Sequence, residues 1–277
     1  MKIIRIFPRR TKATPSDENV RIYTDPGLFD EADEIHISVT FTWDLPAADR
    51  LLRAWRHVAP VKMGGPALGL PGGEFIPGLY LKKGYTITCR GCPNHCWFCS
   101  VWKREGTLRE LEIKPGNNIL DDNLLACSND HIKAVISMLK TQSSRPSFTG
   151  GLEAKRLKPW QAEALRELKP RAVFFAYDSP QEAEPLREAV QIMVKAGFPL
   201  KSHRIRAYVL IGYPGDEYIK AEARLKFVLS LGITPMAMLY RDGPKNKEWG
   251  KFQRVWARPE LIYGRNQDEG ANIPQGL

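Results

Sequence analysis

The stretch CRGCPNHCWFCSVW, residues 89–102, carries four of the five cysteines of this 277-residue chain. Two spacings overlap in it: Cys89 and Cys92 form a CxxC pair, and Cys92, Cys96 and Cys99 form CxxxCxxC. Because the N-terminus lacks the apolar core of a secretory signal, we expect a cytoplasmic protein whose thiols stay reduced. Several reduced thiols on one short segment indicate metal binding or catalysis rather than a disulfide scaffold.

The composition is that of an ordinary globular protein. Hydrophobic residues make up 43% of the chain, which is long enough for one large domain or two small ones. No apolar run approaches the length of a transmembrane helix, so we expect no membrane partner. The formal charge of +10 is compatible with nucleic acid, anionic cofactors or acidic substrates and does not select among them.

The cysteine spacing separates two kinds of metal site. A structural zinc site usually takes two cysteine pairs separated by roughly 12–20 residues, whereas here only Pro93, Asn94 and His95 lie between the pairs. Four thiolates would have to close a tetrahedron from one tight loop. Three thiolates from CxxxCxxC can instead hold three corners of a 4Fe–4S cluster, which leaves the fourth iron free to bind a small molecule.

With Phe98 just before its last cysteine, the motif resembles CxxxCxΦC, the signature of the radical S-adenosylmethionine (SAM) superfamily. The resemblance implies a 4Fe–4S cluster on Cys92, Cys96 and Cys99 and SAM bound to the open iron. It also implies an external electron donor of the flavodoxin or ferredoxin type, whose electron cleaves SAM to a 5′-deoxyadenosyl radical. Cys89 departs from the serine that close relatives tend to carry there, and a fourth thiolate ligand would block this chemistry.

Outward from this stretch, short apolar segments alternate with helical patterns. Six predicted strands end at intervals of 27–34 residues, near Cys92, Asp122, Gly150, Asp178, Gly212 and Leu239. One βα unit takes about 30 residues, and near-continuous apolar runs such as VFFAY suit a parallel sheet covered by helices. The predicted fold is therefore α/β, with six βα units in a curved parallel sheet forming a partial TIM barrel. The resemblance implies the same fold.

In such barrels the chemistry lies at the carboxyl ends of the strands, where polar motifs occur in this sequence. The predicted SAM-binding residues are Phe98, Asp122, Gly150, Gly151, Glu153, Asp178, Gly212 and Met238. Relatives often carry a GGE motif for the SAM amino group on the second strand. Here Gly150-Gly151-Leu152-Glu153 falls on the third strand, and we prefer the acidic Asp121-Asp122-Asn123 cluster for that role.

Each of these assignments has a structural alternative. The two glycines also suit an ordinary tight turn, and Asp178 also suits the N-cap of the next helix. Gly212 is predicted to leave room for the adenine ring of SAM, although the following Pro-Gly-Asp equally suits a turn. Cys127 is typical of a small core residue.

The two ends of the chain are predicted to be separate segments. Residues 1–80 contain a strand (34–41), a helix (45–59) and a strand (61–68), and resemble a shortened cobalamin-binding domain that precedes the barrel in some radical SAM proteins. The DxHxxG cobalamin motif is absent, which argues against cobalamin. Residues 81–242 are the predicted barrel. In residues 243–277, Trp249, Phe252 and Trp256 interleave with basic residues, which suits nucleic acid or an amphipathic helix packed on the barrel.

Two hypotheses follow from the sequence. The first is a radical SAM enzyme whose substrate is unknown, nucleic acid being possible. The alternative is a non-enzymatic nucleic-acid-binding protein with a structural zinc loop. The net charge and the tail favour the alternative, whereas the cysteine spacing does not.

Overall fold

A computed structural model describes residues 1–241 and 246–268, without the side chains of 201 and 264–268. Part of the predicted tail, residues 243–245 and 269–277, and Asp242 at the end of the predicted barrel lie outside the described residues. The chain divides into two compact units, residues 1–122 and 123–277. This division falls well after residue 80, where the sequence pattern places the first boundary.

The first unit begins with a four-stranded parallel sheet in the order β2-β1-β3-β4, and one helix connects β3 to β4. The bounds of these elements are β1 Ile3–Phe7, β2 Val20–Ile22, β3 Glu34–Ser38, α1 Leu45–Trp55 and β4 Val61–Gly64. The predicted strand–helix–strand order is confirmed, with shorter elements than predicted. Strands β1 and β2 were not predicted, although the isoleucines of IIRIF carry the apolar pattern of a strand.

The core of this sheet lies between its strands and α1. Ala48, Leu51 and Trp55 follow the spacing of one helix face and are fully buried against apolar side chains of β1 and β3 such as Ile4 and Ile35. The indole N–H of Trp55 donates to the carbonyl of Thr24 at 2.9 Å, so the polar atom of this buried ring is satisfied.

The rest of the first unit carries the cysteines. Its elements are β5 Tyr85–Thr86, β6 Cys89–Arg90, α2 Val101–Glu105, β7 Arg109–Glu110 and β8 Asn118–Ile119. Strands β5 and β8 pair in parallel, whereas β6 and β7 form an antiparallel pair. The predicted strand over 87–92 is therefore wrong in its bounds, because the parallel strand ends at Thr86 and Cys89 pairs with Glu110 instead.

The second unit contains four parallel strands in the order β12-β11-β10-β9. Its elements are α3 Asn129–Lys140, β9 Ser147–Leu152, α4 Pro159–Leu168, β10 Ala172–Tyr177, α5 Ala183–Lys195, β11 Ile205–Ile211, α6 Tyr218–Ser230, β12 Thr234–Leu239, α7 Lys247–Trp256 and α8 Pro259–Asp268. Strands alternate with helices through α6, as predicted. The mixed α/β class with parallel strands is confirmed.

Strands β10 and β11 are buried because they carry apolar side chains on both faces of the sheet. Val173 and Phe175 of β10 and Ala207 and Val209 of β11 have no measurable exposure and lie on the face that α5 and α6 cover. The opposite face carries the stacked rings of Phe174 and Tyr208, 4.5 Å between centroids. A sheet with apolar side chains on both faces is typical of parallel strands in α/β proteins.

Helix α7 is amphipathic and packs on β12. Trp249 and Trp256 are buried, and the side-chain amide of Gln253 donates to the carbonyl of Ala237 at 3.3 Å. In the described part of the tail, the aromatic residues therefore form the apolar face of a docked helix. This is the arrangement that the sequence offered as an alternative to nucleic-acid binding.

Candidate functional site

The five cysteines fall into two classes by exposure. Cys92, Cys96 and Cys99 are half-exposed, whereas Cys89 is fully buried and Cys127 is 8% exposed. None of the five is in a disulfide bond. The segment 92–99, called the cysteine loop below, thus presents three accessible thiols, the number that a cluster with one open iron requires.

Hydrogen bonds within the cysteine loop, and from residues just after it, hold its backbone and two of its sulfurs. The amide of Cys99 donates to the carbonyl of Cys96 at 3.0 Å, and the indole of Trp102 donates to the same carbonyl at 2.9 Å. The amide of Asn94 donates to Sγ of Cys92 at 3.5 Å, and that of Val101 donates to Sγ of Cys99 at 3.4 Å. Hydrogen bonds to sulfur stabilise thiolates and tune the potential of iron–sulfur clusters.

Two aspartates after β8 hold the chain that leads into the cysteine loop. Asp121 is 2% exposed and accepts from the hydroxyl of Thr88 at 2.6 Å, from its amide and from the amide of Cys89 at 3.2 Å. Asp122 accepts from the amide of Gly91 at 2.9 Å. Burial raises the pKa of Asp122, and the hydrogen bond from Gly91 opposes this. Asp122, predicted as a SAM-binding residue, here contacts the base of the cysteine loop.

Gly91 makes a close approach that only glycine permits. Its φ is +83°, and a Cβ atom there would lie 2.3 Å from the carbonyl oxygen of Thr107. Gly106 also has a positive φ, +71°, but a Cβ atom at that position would meet nothing within 4 Å. Alanine substitutions at Gly91 and Gly106 can therefore be compared to separate the cost of backbone strain from the cost of steric overlap.

We expect Gly91→Ala to destabilise the protein by about 2–4 kcal/mol, since strain and overlap with backbone both oppose the methyl group. Gly106→Ala, the matched control, meets backbone strain alone and should cost about 1–2 kcal/mol. Urea unfolding of both variants measures the difference. Equal losses for the two variants would contradict the close packing at Gly91.

A buried carboxylate, Glu105, draws together three arginines at the base of the cysteine loop. Its side chain is 1% exposed and lies 2.9 Å from Arg104, 3.2 Å from Arg109 and 3.7 Å from Arg90. The amide of Gly72 also donates to it, at 3.0 Å. Burial opposes ionisation of Glu105, but the hydrogen bonds from Arg104 and Gly72 and the arginine charges outweigh it, so its pKa is lowered. These four charged residues, the arginine clamp, carry a formal charge of +2.

The three cysteines of the loop are soft donors, the type of ligand that iron–sulfur clusters take. Among residues 1–241 and 246–268, no group of three or more His, Cys, Asp or Glu side chains is placed to hold one metal ion. Thiolates around a zinc ion would all lie about 2.3 Å from it and hence close together. A four-iron cluster is larger and holds its thiolates further apart, and three half-exposed cysteines on one loop match its soft-ligand chemistry.

The remaining predicted residues, apart from Phe98, lie along one edge of the sheet in the second unit. Gly150, Gly151 and Glu153 end or follow β9, Asp178 follows β10 and Gly212 follows β11. Met238, at the end of β12, is 42% exposed. Because the four strands are parallel neighbours, their carboxyl ends meet at this edge. Phe98 lies in the cysteine loop, half-exposed and edge-on to the ring of Trp97 at 5.5 Å.

Glu153 is already surrounded by donors. It accepts from Asn123 at 2.7 Å and from Arg156 at 2.6 Å, and the ammonium of Lys155 lies 2.9 Å from its other oxygen. A ligand ammonium could bind Oε2 of Glu153 only by displacing Asn123 or Arg156. Gly151 has a φ of +93°, a backbone conformation that favours glycine. A close approach by a ligand is therefore not needed to account for glycine at this position.

At this edge of the sheet, the carboxyl of Asp178 has a strongly raised pKa. Burial and the nearby charge of Glu182 raise its pKa to about 7, and a hydrogen bond from the amide of Leu210 opposes the rise. Glu182 accepts from the amides of Asp178 and Ser179, at 2.6 and 3.1 Å. Since Glu182 satisfies these amides and Ser179 is the N-cap residue, helix capping does not account for the Asp178 carboxylate.

The Asp178→Asn variant should remove a pH-dependent loss of stability. Between the unfolded pKa of about 3.8 and the folded value of about 7, the unfolded chain releases the proton while the folded chain keeps it, so stability falls as pH rises. After allowance for partial solvent exposure, we expect the free energy of unfolding of the variant, relative to that of the wild type, to rise by about 2–3 kcal/mol between pH 4 and pH 8.

Urea unfolding at several pH values measures this effect. In Glu182→Gln, the control, the pKa of Asp178 should fall and the pH dependence should shrink. Identical pH profiles for the wild type and Asp178→Asn would contradict the raised pKa.

The space beside Gly212 is filled by protein. A Cβ atom there would lie 2.6 Å from Leu239 and 3.0 Å from the ring of Trp249. The turn after Gly212 is held by Asp216, which accepts from the amide of Gly212 at 2.8 Å and from buried Arg224 at 2.7 Å. An adenine ring could enter beside Gly212 only if Trp249 moved.

Several residues that build these features were not predicted from the sequence. Asp121 was named only within an acidic cluster, and the arginine clamp and the Asp216–Arg224 pair were not predicted. Asp121 and Thr88 lie 33 positions apart, and Arg109 and Gly72 lie 37 positions apart, separations that helical or strand periodicity does not reveal.

Comparison with known proteins gives no family assignment. No protein-family model matches the chain. No curated protein matches it significantly. None of the described helices combines the length and the apolar character needed to cross a membrane.

Proposed function

We propose that this chain is a radical SAM enzyme whose 4Fe–4S cluster is held by Cys92, Cys96 and Cys99. The observation that carries the proposal is the division of the five cysteines. The three that form CxxxCxxC are half-exposed on one hydrogen-bonded loop, and the other two are buried. With Cys89 inside the protein, the polypeptide supplies three ligands and leaves one iron for SAM.

The bound cofactors supply reductive cleavage of SAM, which generates a 5′-deoxyadenosyl radical for attack on a C–H bond of the substrate. The chain contributes the loop geometry and its electrostatics. Amides of Asn94 and Val101 donate to two of the ligand sulfurs. The arginine clamp adds a formal charge of +2 on residues that flank the loop in sequence.

The finer fold belongs to this proposal. The six predicted strands, β5, β8, β9, β10, β11 and β12, would form a partial TIM barrel whose carboxyl ends face SAM. Asp122, Gly150, Gly151, Glu153, Asp178, Gly212 and Met238 would lie near SAM, together with Phe98. At Glu153 and Gly212 this requires an exchange of partners, because protein groups fill those positions in the structure.

The proposal includes a cytoplasmic location and an external electron donor of the flavodoxin or ferredoxin type. Cobalamin is left out, because the chain lacks the DxHxxG motif. The substrate class is open, and nucleic acid is compatible with the charge of +10.

Anaerobic reconstitution with iron and sulfide tests the proposal. We expect a brown protein with about four irons per chain that is bleached by air. Reduction with dithionite in the presence of SAM should then yield 5′-deoxyadenosine, measured by liquid chromatography and mass spectrometry. A reconstituted cluster that yields no 5′-deoxyadenosine, or a colourless protein with one tightly held zinc, would refute it. The zinc result would favour the alternative, a non-enzymatic nucleic-acid-binding protein with a structural zinc loop. No contact among the described residues supports that alternative.

A further inference from the structure

A second group of reactive side chains lies in the N-terminal sheet, on the face opposite α1. His36 of β3 contacts the phenol of Tyr80 through Nδ1 at 2.7 Å and the carboxylate of Glu34 through Nε2 at 2.9 Å. The hydrogen-bonded chain Glu34–His36–Tyr80, called the Tyr80 relay below, joins a potential nucleophile, a base and a carboxylate that orients the base.

The period of two in β3 explains why Glu34 and His36 share a face of the sheet. Tyr80 reaches this face because Arg5, on β1 directly beside His36, holds the segment before it. Arg5 is 7% exposed, and its guanidinium donates to the carbonyls of Gly78 and Leu79, both at 2.8 Å. The phenol is thus positioned by a buried arginine that is anchored in the sheet.

Proton positions in the Tyr80 relay follow from the acceptors. Hydrogen bonds from Lys62 and His36 lower the pKa of Glu34, so its carboxylate is ionised and can only accept. In neutral His36 the proton must then lie on Nε2, which leaves the lone pair on Nδ1. The phenol of Tyr80 therefore donates to Nδ1, and its proton points at a base.

The remaining properties of Tyr80 suit an activated nucleophile. The residue is 40% exposed, so a reagent can reach it. Burial of the phenol raises its pKa, so Tyr80 is protonated at neutral pH and needs a base in order to react. His36 lies within hydrogen-bond reach and provides that base.

We propose that Tyr80 is a nucleophile that accepts a group from an electrophilic phosphoryl or sulfonyl compound with a leaving group on phosphorus or sulfur. In this step the phenol oxygen forms a bond to phosphorus or sulfur, and the phenol proton moves to Nδ1 of His36. The leaving group departs with the electrons of the broken bond, so that no oxidant or reductant is needed. The product is an ester of Tyr80. This site is independent of the cysteine loop.

Benzenesulfonyl fluoride tests this on the intact protein, with labelling rates of individual tyrosines measured by peptide mass spectrometry. Tyr218 is the matched comparator, because it is 43% exposed and its ring packs on Trp249 instead of a base. Base assistance should make Tyr80 react on the order of 100-fold faster than Tyr218. Equal rates, or labelling of His36 or Lys62 in place of Tyr80, would overturn the proposal.

Two variants separate the relay from a change in folding. His36→Gln keeps a polar side chain but loses the base, so the Tyr80 rate should fall to that of Tyr218. The rate at Tyr23, 52% exposed in the same unit, should not change. Glu34→Gln should lower the Tyr80 rate by a smaller factor. Unchanged labelling of Tyr80 in both variants would overturn the relay, as would an equal fall at Tyr80 and Tyr23.

Discussion

Replacing Cys96 with alanine should abolish both cluster assembly and formation of 5′-deoxyadenosine. Cys96 is the central thiol of CxxxCxxC, and its carbonyl is already held by two donors, so the backbone can persist when the thiol is removed. Two remaining thiolates cannot hold a cluster with one open iron. Iron content should fall from about four per chain to a trace, and product should fall below detection.

Cys89→Ala is the matched control for this prediction. Cys89 lies three residues before Cys92 but is fully buried, so its thiol should not bind iron. We expect full iron content and product yield in this variant, with a loss of about 1 kcal/mol in stability from the small cavity. If Cys89→Ala lost iron as completely as Cys96→Ala, a four-thiolate site would replace the open cluster.

Asp121→Ala should destabilise the protein more than either Gly91→Ala or Cys89→Ala. The buried carboxylate accepts from the amide and hydroxyl of Thr88 and from the amide of Cys89. Alanine leaves these three donors without their acceptor inside the protein, at about 1–3 kcal/mol for each. Allowing for partial relaxation, we expect a loss of about 5 kcal/mol in the free energy of unfolding.

Asp121→Asn distinguishes this hydrogen bonding from packing. The asparagine has the same shape and keeps one oxygen acceptor, so it should lose about half as much stability as alanine. Urea unfolding followed by tryptophan fluorescence measures both variants, and iron uptake reports on the cysteine loop. A loss below about 1 kcal/mol in Asp121→Ala would show that Thr88 and Cys89 find other acceptors.

Strands β10 and β11 were predictable because their composition is strongly apolar. AVFFAY and IRAYVLI are apolar on both faces, and this pattern is typical of a parallel sheet between layers. The two-residue strands β5 and β6 have no such pattern. The end of the first parallel strand was misplaced because Cys89 and Arg90 pair with residues about 20 positions later, and this pairing is not encoded in local periodicity.

In the candidate site as well, features set by local sequence spacing could be predicted, whereas features set by contacts between distant residues could not. Cysteine spacing is local, so the three accessible thiols could be identified from the sequence. The amide of buried Cys89 is held by Asp121, which lies 32 residues away, and the space at Gly212 is filled by Leu239 and Trp249. These contacts depend on tertiary packing, which can be described only once the strands are placed beside one another.

The described anchors of the cysteine loop all come from a short part of the chain. Gly72, the arginine clamp, Asp121 and Asp122 lie within residues 72–122. During synthesis from the N-terminus, this part of the chain is made before β10 to β12. If the chain is the proposed enzyme, its cysteine loop can therefore fold on the nascent polypeptide, and cluster insertion need not await completion of translation.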